Sequence, residues 1–346
     1  MSIAGSDVCG TRRVDGSSDT AEVRPRMGRA AAVVAMTFLI GCAAAGPAAA
    51  QPYPARPIEI VNSFAPGGAA DLNVRALQAG AEKALGQPLV QTFKQGGGGI
   101  VGTTEVANAL ADGYKLLVVS PGELTAGPNL AKTAYSIDSF AFVGRVSSRP
   151  YGFVVKSDAP WKDFEEFRRS AAQNPGKHTI GTTPQGGVFL TVQHFVRRGG
   201  MDLVPVPYGG SGPYLTAVLG GHVDAAWAPL TAAESYLRSG QMRLLAVTGP
   251  SRLSGYPAVP TFRELGIDSP FVLWIGVVAP KGISPERLAF LRDAFARIVK
   301  DSNYLQAADR LGVEVAYAPA EEFERQVRDE DQVFRALVKD LGLAPK

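Results

Sequence analysis

Residues 58–102 read IEIVNSFAPGGAADLNVRALQAGAEKALGQPLVQTFKQGGGGIVG, and this stretch decides the class of fold. Ile58-Glu59-Ile60-Val61 is a short apolar strand, followed by the turn-rich Ala65-Pro66-Gly67-Gly68. From about Ala70 to Leu85 the apolar residues Leu72, Ala76, Ala79 and Ala84 recur at helical spacing, and Gly86 is a stop signal. Leu89 to Phe93 is the next strand; it runs into Gly96–Gly99 and a second helix from about Gly102 to Ala109. Leu116 to Val119 is a third strand, ending at Ser120-Pro121-Gly122. Strands alternating with helices predict an α/β fold with a largely parallel sheet.

The same alternation restarts downstream. Strands are predicted at Tyr151–Lys156, Thr179–Gly181, Leu203–Val206, Val223–Ala228 and Leu244–Val247. Helices are predicted over about Phe164–Ala172, Val188–Arg198 and Pro213–Leu219. Residues 284–300 and 319–341 read as amphipathic helices, with Leu288, Leu291, Phe295 and Ile298 on one stripe and Phe323, Val327, Phe334 and Leu337 on the other. No repeat of solenoid length is present in the sequence.

At 346 residues the chain has the length of two domains. Hydrophobic residues make up 46% and charged residues 19%, a balance that supports a packed core and argues against disorder. Lys and Arg number 35 against 32 Asp and Glu, so no basic surplus marks a nucleic-acid binder. Two cysteines and three histidines exclude a disulfide scaffold and argue against a zinc cluster; His178, His194 and His222 share no metal-ligand spacing.

The first fifty residues read as an export signal. Arg24, Arg26 and Arg29 precede an apolar run from Ala30 to Ala45, and Ala48-Ala49-Ala50 forms an A-x-A cleavage site before Gln51. The run is shorter than the ~20 apolar residues of a membrane span. Residues 1–23 are patternless, and Met27 is an alternative start. Leu39-Ile40-Gly41-Cys42 resembles a lipobox, which would leave a lipid anchor on Cys42; cleavage after Ala50 is the favoured expectation and removes both cysteines.

Glycine-rich segments 64–71, 95–102 and 181–188 each follow a strand and precede a helix. Ligands of open α/β sheets sit beyond such strand ends, and free N–H groups at a helix start favour an anion. None carries the G-x-G-x-x-G or P-loop spacing, and each is equally readable alone as an ordinary tight turn.

Several motifs in fixed order add a resemblance. Tyr53-Pro54-Ala55-Arg56-Pro57-Ile58 and Phe64-Ala65-Pro66-Gly67-Gly68-Ala69-Ala70-Asp71 resemble the opening of the Bug family, the substrate-binding proteins of tripartite tricarboxylate transporters. Gly86-Gln87-Pro88, Gly97 to Gly102, Ala111-Asp112-Gly113-Tyr114, Val206-Pro207-Tyr208, Leu244 to Thr248, Val259-Pro260-Thr261, Glu264-Leu265-Gly266, Trp274-Ile275-Gly276 and Ala279-Pro280-Lys281-Gly282 follow in the same order. The resemblance spans residues 53 to about 342. It implies an α/β, two-lobed periplasmic-binding-protein clamshell, each lobe a mostly parallel sheet flanked by helices. The lobes would be 51–148 plus 274–346, and 149–273, with the hinge near Ser148 and Leu273. It also implies a monomeric, non-enzymatic periplasmic receptor without cofactor, metal or nucleic acid. Such a receptor captures a small carboxylate (amino acid, di- or tricarboxylate, or aromatic acid) and passes it to membrane permease subunits.

The ligand contacts so implied lie on the first loop (Phe64, Ala65, Pro66, Gly67, Gly68, Ala69, Asp71), on Ser120, on the loop Thr182, Thr183, Gln185, Gly186, Gly187, and on Tyr208. Two departures from the family pattern, Phe189-Leu190 in place of His-Leu and Tyr208-Gly209-Gly210 in place of Tyr-Lys-Gly, point to a less charged or more aromatic ligand. Taken by residue chemistry alone, Asp71 is a ligand contact or a carboxylate favoured by the helix dipole. Thr182 and Thr183 are carboxylate donors or local turn formers, and Tyr208 lines a cleft or packs on the sheet. Trp161, Trp227 and Trp274 read as packing residues. Ser120 and Ser211 sit in no G-x-S-x-G elbow, which disfavours the rival reading of an exported serine hydrolase. A sensory partner of a membrane receptor kinase would share the fold and site.

Overall fold

A computed structural model describes residues 52–184, 186–267 and 271–345. The export signal, the lipobox and both cysteines lie outside the described residues, as does Gln185. The strands are β1 (Ile58–Asn62), β2 (Leu89–Phe93), β3 (Lys115–Val119), β4 (Phe140–Lys156), β5 (His178–Thr182), β6 (Leu203–Pro207), β7 (Ala225–Pro229), β8 (Met242–Val247), β9 (Val272–Pro280) and β10 (Val315–Pro319). The helices are α1 (Ala69–Leu85), α2 (Ile100–Ala107), α3 (Gly127–Leu130), α4 (Phe164–Gln173), α5 (Gly187–Gly199), α6 (Ser211–Leu219), α7 (Leu230–Arg238), α8 (Pro285–Ile298), α9 (Ser302–Arg310) and α10 (Ala320–Asp340).

Local chemistry sets most of these boundaries. The helix α1 buries Ala70, Val74, Leu77, Ala81 and Leu85 along one stripe. It stops at Gly86, whose left-handed φ of 71° lets its N–H reach Glu82 O at 2.8 Å. Gly96–Gly99 all take positive φ, so the chain turns sharply into α2 where a side chain would be strained.

The strands lie in the order β2-β1-β3-β9-β4-β7-β5-β6, with β10 and β8 also on β4. Among the described residues, β1 pairs in parallel with β2 and β3, and β5 pairs in parallel with β6 and β7. Every ladder of β4 and β9 is antiparallel. The result is a two-lobed α/β architecture in which parallel βα units stand on either side of a shared antiparallel centre.

That centre is the 17-residue β4, of which only the second half is foreseen from the sequence. Phe140 to Pro150 pair with β9, and Tyr151 to Lys156 pair with β7 and β8. The exchange of partners falls at Pro150, which has no N–H to offer a ladder. Ser-Ser-Arg-Pro in mid-strand reads locally as a turn, and only the partners on both sides hold it extended. The strands β9 and β10 and the helices α7 and α9 were likewise not expected from the sequence.

Apolar packing fills both sides of the sheet. Phe153, Phe164, Phe195, Trp227 and Phe262 form one aromatic cluster, with ring centroids as close as 4.5 Å for Phe195 and Phe262. Phe323 of α10 sits against Phe142 and Trp274 at 5.3 and 5.1 Å. Gly276 of β9 makes room for it: a Cβ there would lie 2.2 Å from the Phe323 ring. Gly276→Ala is therefore expected to destabilise the fold by ~1–3 kcal/mol through overpacking. A lowered urea midpoint with unchanged slope checks this; an unchanged midpoint contradicts it.

Candidate functional site

The loops that leave the carboxyl ends of β1, β3, β5 and β6 converge on one cavity of about 50 Å³. One water needs only ~10–15 Å³, so the space suits a small solute. Phe64, Gly68, Ala69 and Ala70 come from the loop after β1 and the start of α1, and Ser120 and Gly122 from the turn after β3. Thr183, Gly187 and Val188 follow β5, and Gly210, Ser211 and Tyr214 follow β6. Tyr151 of β4, Pro229 of β7, and Leu273 and Ile275 of β9 complete the wall.

Four helices begin at this cavity, and none has a side-chain hydrogen bond from its N-cap: α1, α5 and α6 are capped by glycine (Gly68, Gly186 and Gly210) and α7 by Pro229. By contrast, α4, α8 and α9 carry side-chain caps from Asp163, Ser284 and Asp301. Uncapped N–H groups need an acceptor from elsewhere. One is found across the cavity, where Ser211 Oγ accepts from Ala69 N–H at 3.2 Å. Beside it Ala65 N–H donates to Gly209 O at 3.2 Å.

The opposed loops touch, and glycine permits the approach. A Cβ on Gly68 would lie 2.9 Å from Ser211 Oγ, and one on Gly212 would lie 2.7 Å from Pro66 O. On the other flank, Cβ atoms on Gly186 and Gly187 would lie 3.3 Å from Gly122 Cα and Pro121 Cβ respectively. The two faces are thus closed on each other around the cavity.

No Lys, Arg, His, Asp or Glu side chain is among the described residues that line it. Asp71 is buried just outside the wall. Its Oδ2 accepts from Gly67 N–H at 2.7 Å and its Oδ1 from Arg75 Nε at 2.9 Å, so it fixes the first loop onto α1. Two carboxyl groups lie behind the wall. Glu123, in the π-helical turn Gly122–Ala126, accepts on Oε2 from Ser120 N–H at 2.9 Å and Ser120 Oγ at 2.5 Å. Glu330 of α10 accepts on Oε2 from Thr125 Oγ1 and Trp274 Nε1, both at 3.0 Å. Burial pushes Glu123 up to about 7 and Glu330 up to about 8, although their hydrogen bonds pull the other way. Burial also raises the Tyr151 phenol, with the charges of Glu330 and Glu123 adding to the effect.

Of the residues expected to bind ligand, the cavity wall contains Phe64, Gly68, Ala69, Ser120, Thr183 and Gly187. Ala65, Pro66, Gly67 and Gly186 stand one step back, holding the loops together. Thr182 O accepts from Tyr208 N–H at 2.8 Å, and its hydroxyl turns to Thr183 O at 3.3 Å. Tyr208 packs against the apolar cluster around Leu215 and Val218 and is absent from the wall. Sequence reasoning missed Tyr151, Ser211, Tyr214, Pro229, Leu273 and Ile275. Ser211 follows a Gly-Gly turn and opens a helix, which is a usable signal; Tyr151 and Leu273 reach the site only through the crossing of β4 and β9.

The buried carboxyls give a pH dependence whose sign follows from proton binding. In the unfolded chain each ionises near the ordinary value of 4.5, whereas in the fold each keeps its proton up to about 7 or 8. The folded state therefore binds more protons across that window, and stability falls as pH rises through it. The melting temperature of the Glu123→Gln/Glu330→Gln variant is expected to fall less than that of the parent chain between about pH 5 and about pH 8. Parallel curves for the two proteins would contradict the assignment.

Comparison with known proteins places this geometry. The model of the tripartite tricarboxylate transporter family receptor matches residues 73–343. The protein BugT of Bordetella pertussis is 31% identical over 324 residues, covering 91% of this chain and 98% of its own length. The structure of MatC from Rhodopseudomonas palustris with bound malate has a TM-score of 0.77 at 28% identity, covering 83% of this chain and 100% of that one. An R. palustris protein solved with adipate has a TM-score of 0.80 at 26% identity, covering 85% and 100%. A cavity at the carboxyl ends of two sets of parallel strands, shut between two lobes and matched along nearly the whole fold, identifies the chain as a member of the tripartite tricarboxylate transporter receptor family, the Bug solute-binding proteins.

Proposed function

We propose that this protein is an exported, periplasmic, non-enzymatic receptor that closes around a small organic carboxylate and delivers it to the permease subunits of a tripartite tricarboxylate-type transporter. The observation that carries the reading is the set of glycine-capped helix starts at α1, α5 and α6, which offer N–H donors to one cavity from both sides. An anion there completes the backbone hydrogen bonds and is favoured by the helix dipoles. Ser120, Thr183 and Ser211 add hydroxyls. The malate and adipate of the two R. palustris relatives support a carboxylate as the ligand class.

The lobes in this reading are 51–148 plus 274–346, and 149–273. The partner exchange of β4 at Pro150 and the β9 crossing near Leu273 support a hinge there. A ligand that touches both lobes only when they are closed shifts an open–closed equilibrium toward the closed form, which the permease would read. The mature chain would begin after Ala50 and act as a monomer. A hydrolase is disfavoured by the serines themselves. Ser120 is tied to Glu123, and Ser211 to Ala69 N–H. His178 lies 2.9 Å from Ser170 Oγ, but its Nδ1 is 3.9 Å from Asp224, whose carboxylate already serves Thr179.

Thermal-shift screening of the mature protein against small organic acids is expected to raise the melting temperature by a few degrees, since saturation at ~100 times Kd adds ~2.7 kcal/mol. A complete panel without a shift would sink the proposal. Gly68→Val tests the mode of closure. Gly68 has an ordinary extended φ of −84°, so valine is tolerated by the backbone, but its Cβ meets Ser211 across the cavity. Affinity for the acid found in the screen is expected to fall about tenfold or more, a loss of ~1.4 kcal/mol. Undiminished affinity would mean that binding does not require these loops to meet.

A further inference from the structure

The cavity has a second side, made by the strands rather than the helix starts, and its chemistry differs. Tyr151, Pro229, Leu273 and Ile275 form it. Tyr151 is only 3% exposed, yet its hydroxyl makes no hydrogen bond with any described residue. The Tyr151 oxygen keeps some accessible surface, so a bound molecule in the cavity can supply it with an acceptor or donor.

What lies behind this wall adds no positive charge to it. Ser120 is bound from behind by Glu123, whose other oxygen, Oε1, is buried with no hydrogen-bond partner among the described residues. Trp274, between the lining residues Leu273 and Ile275, is bound from behind by Glu330. Neither carboxyl has a cation on it among the described residues; their partners are Ser120, Thr125 and Trp274. A ligand carboxylate beside Tyr151 would lose its water against Pro229, Leu273 and Ile275, with no side-chain cation in the wall to offset the cost.

We propose that the cavity selects a monocarboxylate with an uncharged far end bearing a hydroxyl or carbonyl oxygen, that Tyr151 reads this oxygen by a hydrogen bond, and that the apolar, cation-free wall around Tyr151 discriminates against a second carboxylate at that end. The inference rests on the carboxylate reading of the helix-start side and adds to it the specificity of the opposite wall. The apolar bodies of Leu273, Ile275 and Val188 then cover the middle of the ligand.

Matched acids test this by calorimetry on the mature protein: hexanoate, 6-hydroxyhexanoate and adipate, with butanoate, 4-hydroxybutanoate and succinate as the shorter set. The hydroxy acid of a set is expected to bind about tenfold tighter than the dicarboxylate and several-fold tighter than the plain acid. In Tyr151→Phe the advantage of the hydroxy acid over the plain acid is expected to shrink toward one. A dicarboxylate that binds as tightly as its hydroxy acid overturns the inference while leaving the carboxylate reading intact. A hydroxy-acid advantage that survives in Tyr151→Phe, with the variant folded by circular dichroism, overturns the role of Tyr151. Failure of both sets and of the wider acid panel to bind folded protein overturns the carboxylate reading itself, and this inference with it.

Discussion

Backbone N–H groups at the start of a helix have no partner within the helix, and at α1, α5 and α6 no N-cap side chain supplies one. The site depends on this deficit. Glycine at each N-cap supplies no capping side chain and lets the opposed loops approach to contact. The deficit is partly met from within, as Ser211 Oγ accepts from Ala69 N–H across the cavity.

The strand β4 makes that arrangement possible. Because it runs unbroken from the β9 ladder to the β7 and β8 ladders, two sets of parallel βα units are held with their strand ends facing one another. Pro150, where β4 changes partners, has no N–H to give to either ladder. Arg149, one residue earlier, braces the same point, donating to Gly312 O at 2.5 Å and to Glu234 at 2.6 Å. The site's charge character is set by elements far apart in the chain. Glu330 of α10 reaches Thr125 and Trp274, so the C-terminal helix fixes both the π-helical turn beside Gly122 and the β9 wall.

Much of this was legible in the sequence. The strand–glycine–helix units announced themselves because a strand period of two and a helix period of 3.6 are local signals. Phe64, Gly68, Ala69, Thr183 and Gly187, all in the cavity wall, were expected from the resemblance to the Bug family, and the glycine turns after strands agree with that expectation. The first half of β4 was not legible, since Ser147-Ser148-Arg149-Pro150 has the composition of a turn and is held straight only by β9 and β10. Asp71 was readable as a helix-start carboxylate, but its commitment to Gly67 and Arg75 could be seen only in three dimensions.

By itself the sequence determined the class of fold, the position of the glycine loops and the absence of a charge surplus, because each follows from neighbours along the chain. The tertiary structure decided which residues share the cavity and what lies behind them. Tyr151, Leu273 and Ser211 are far apart in sequence, and their meeting depends on ladder register rather than on any local pattern. The upward pKa shifts of Glu123 and Glu330 are likewise tertiary in origin, since desolvation is a property of the surrounding packing and not of the residue.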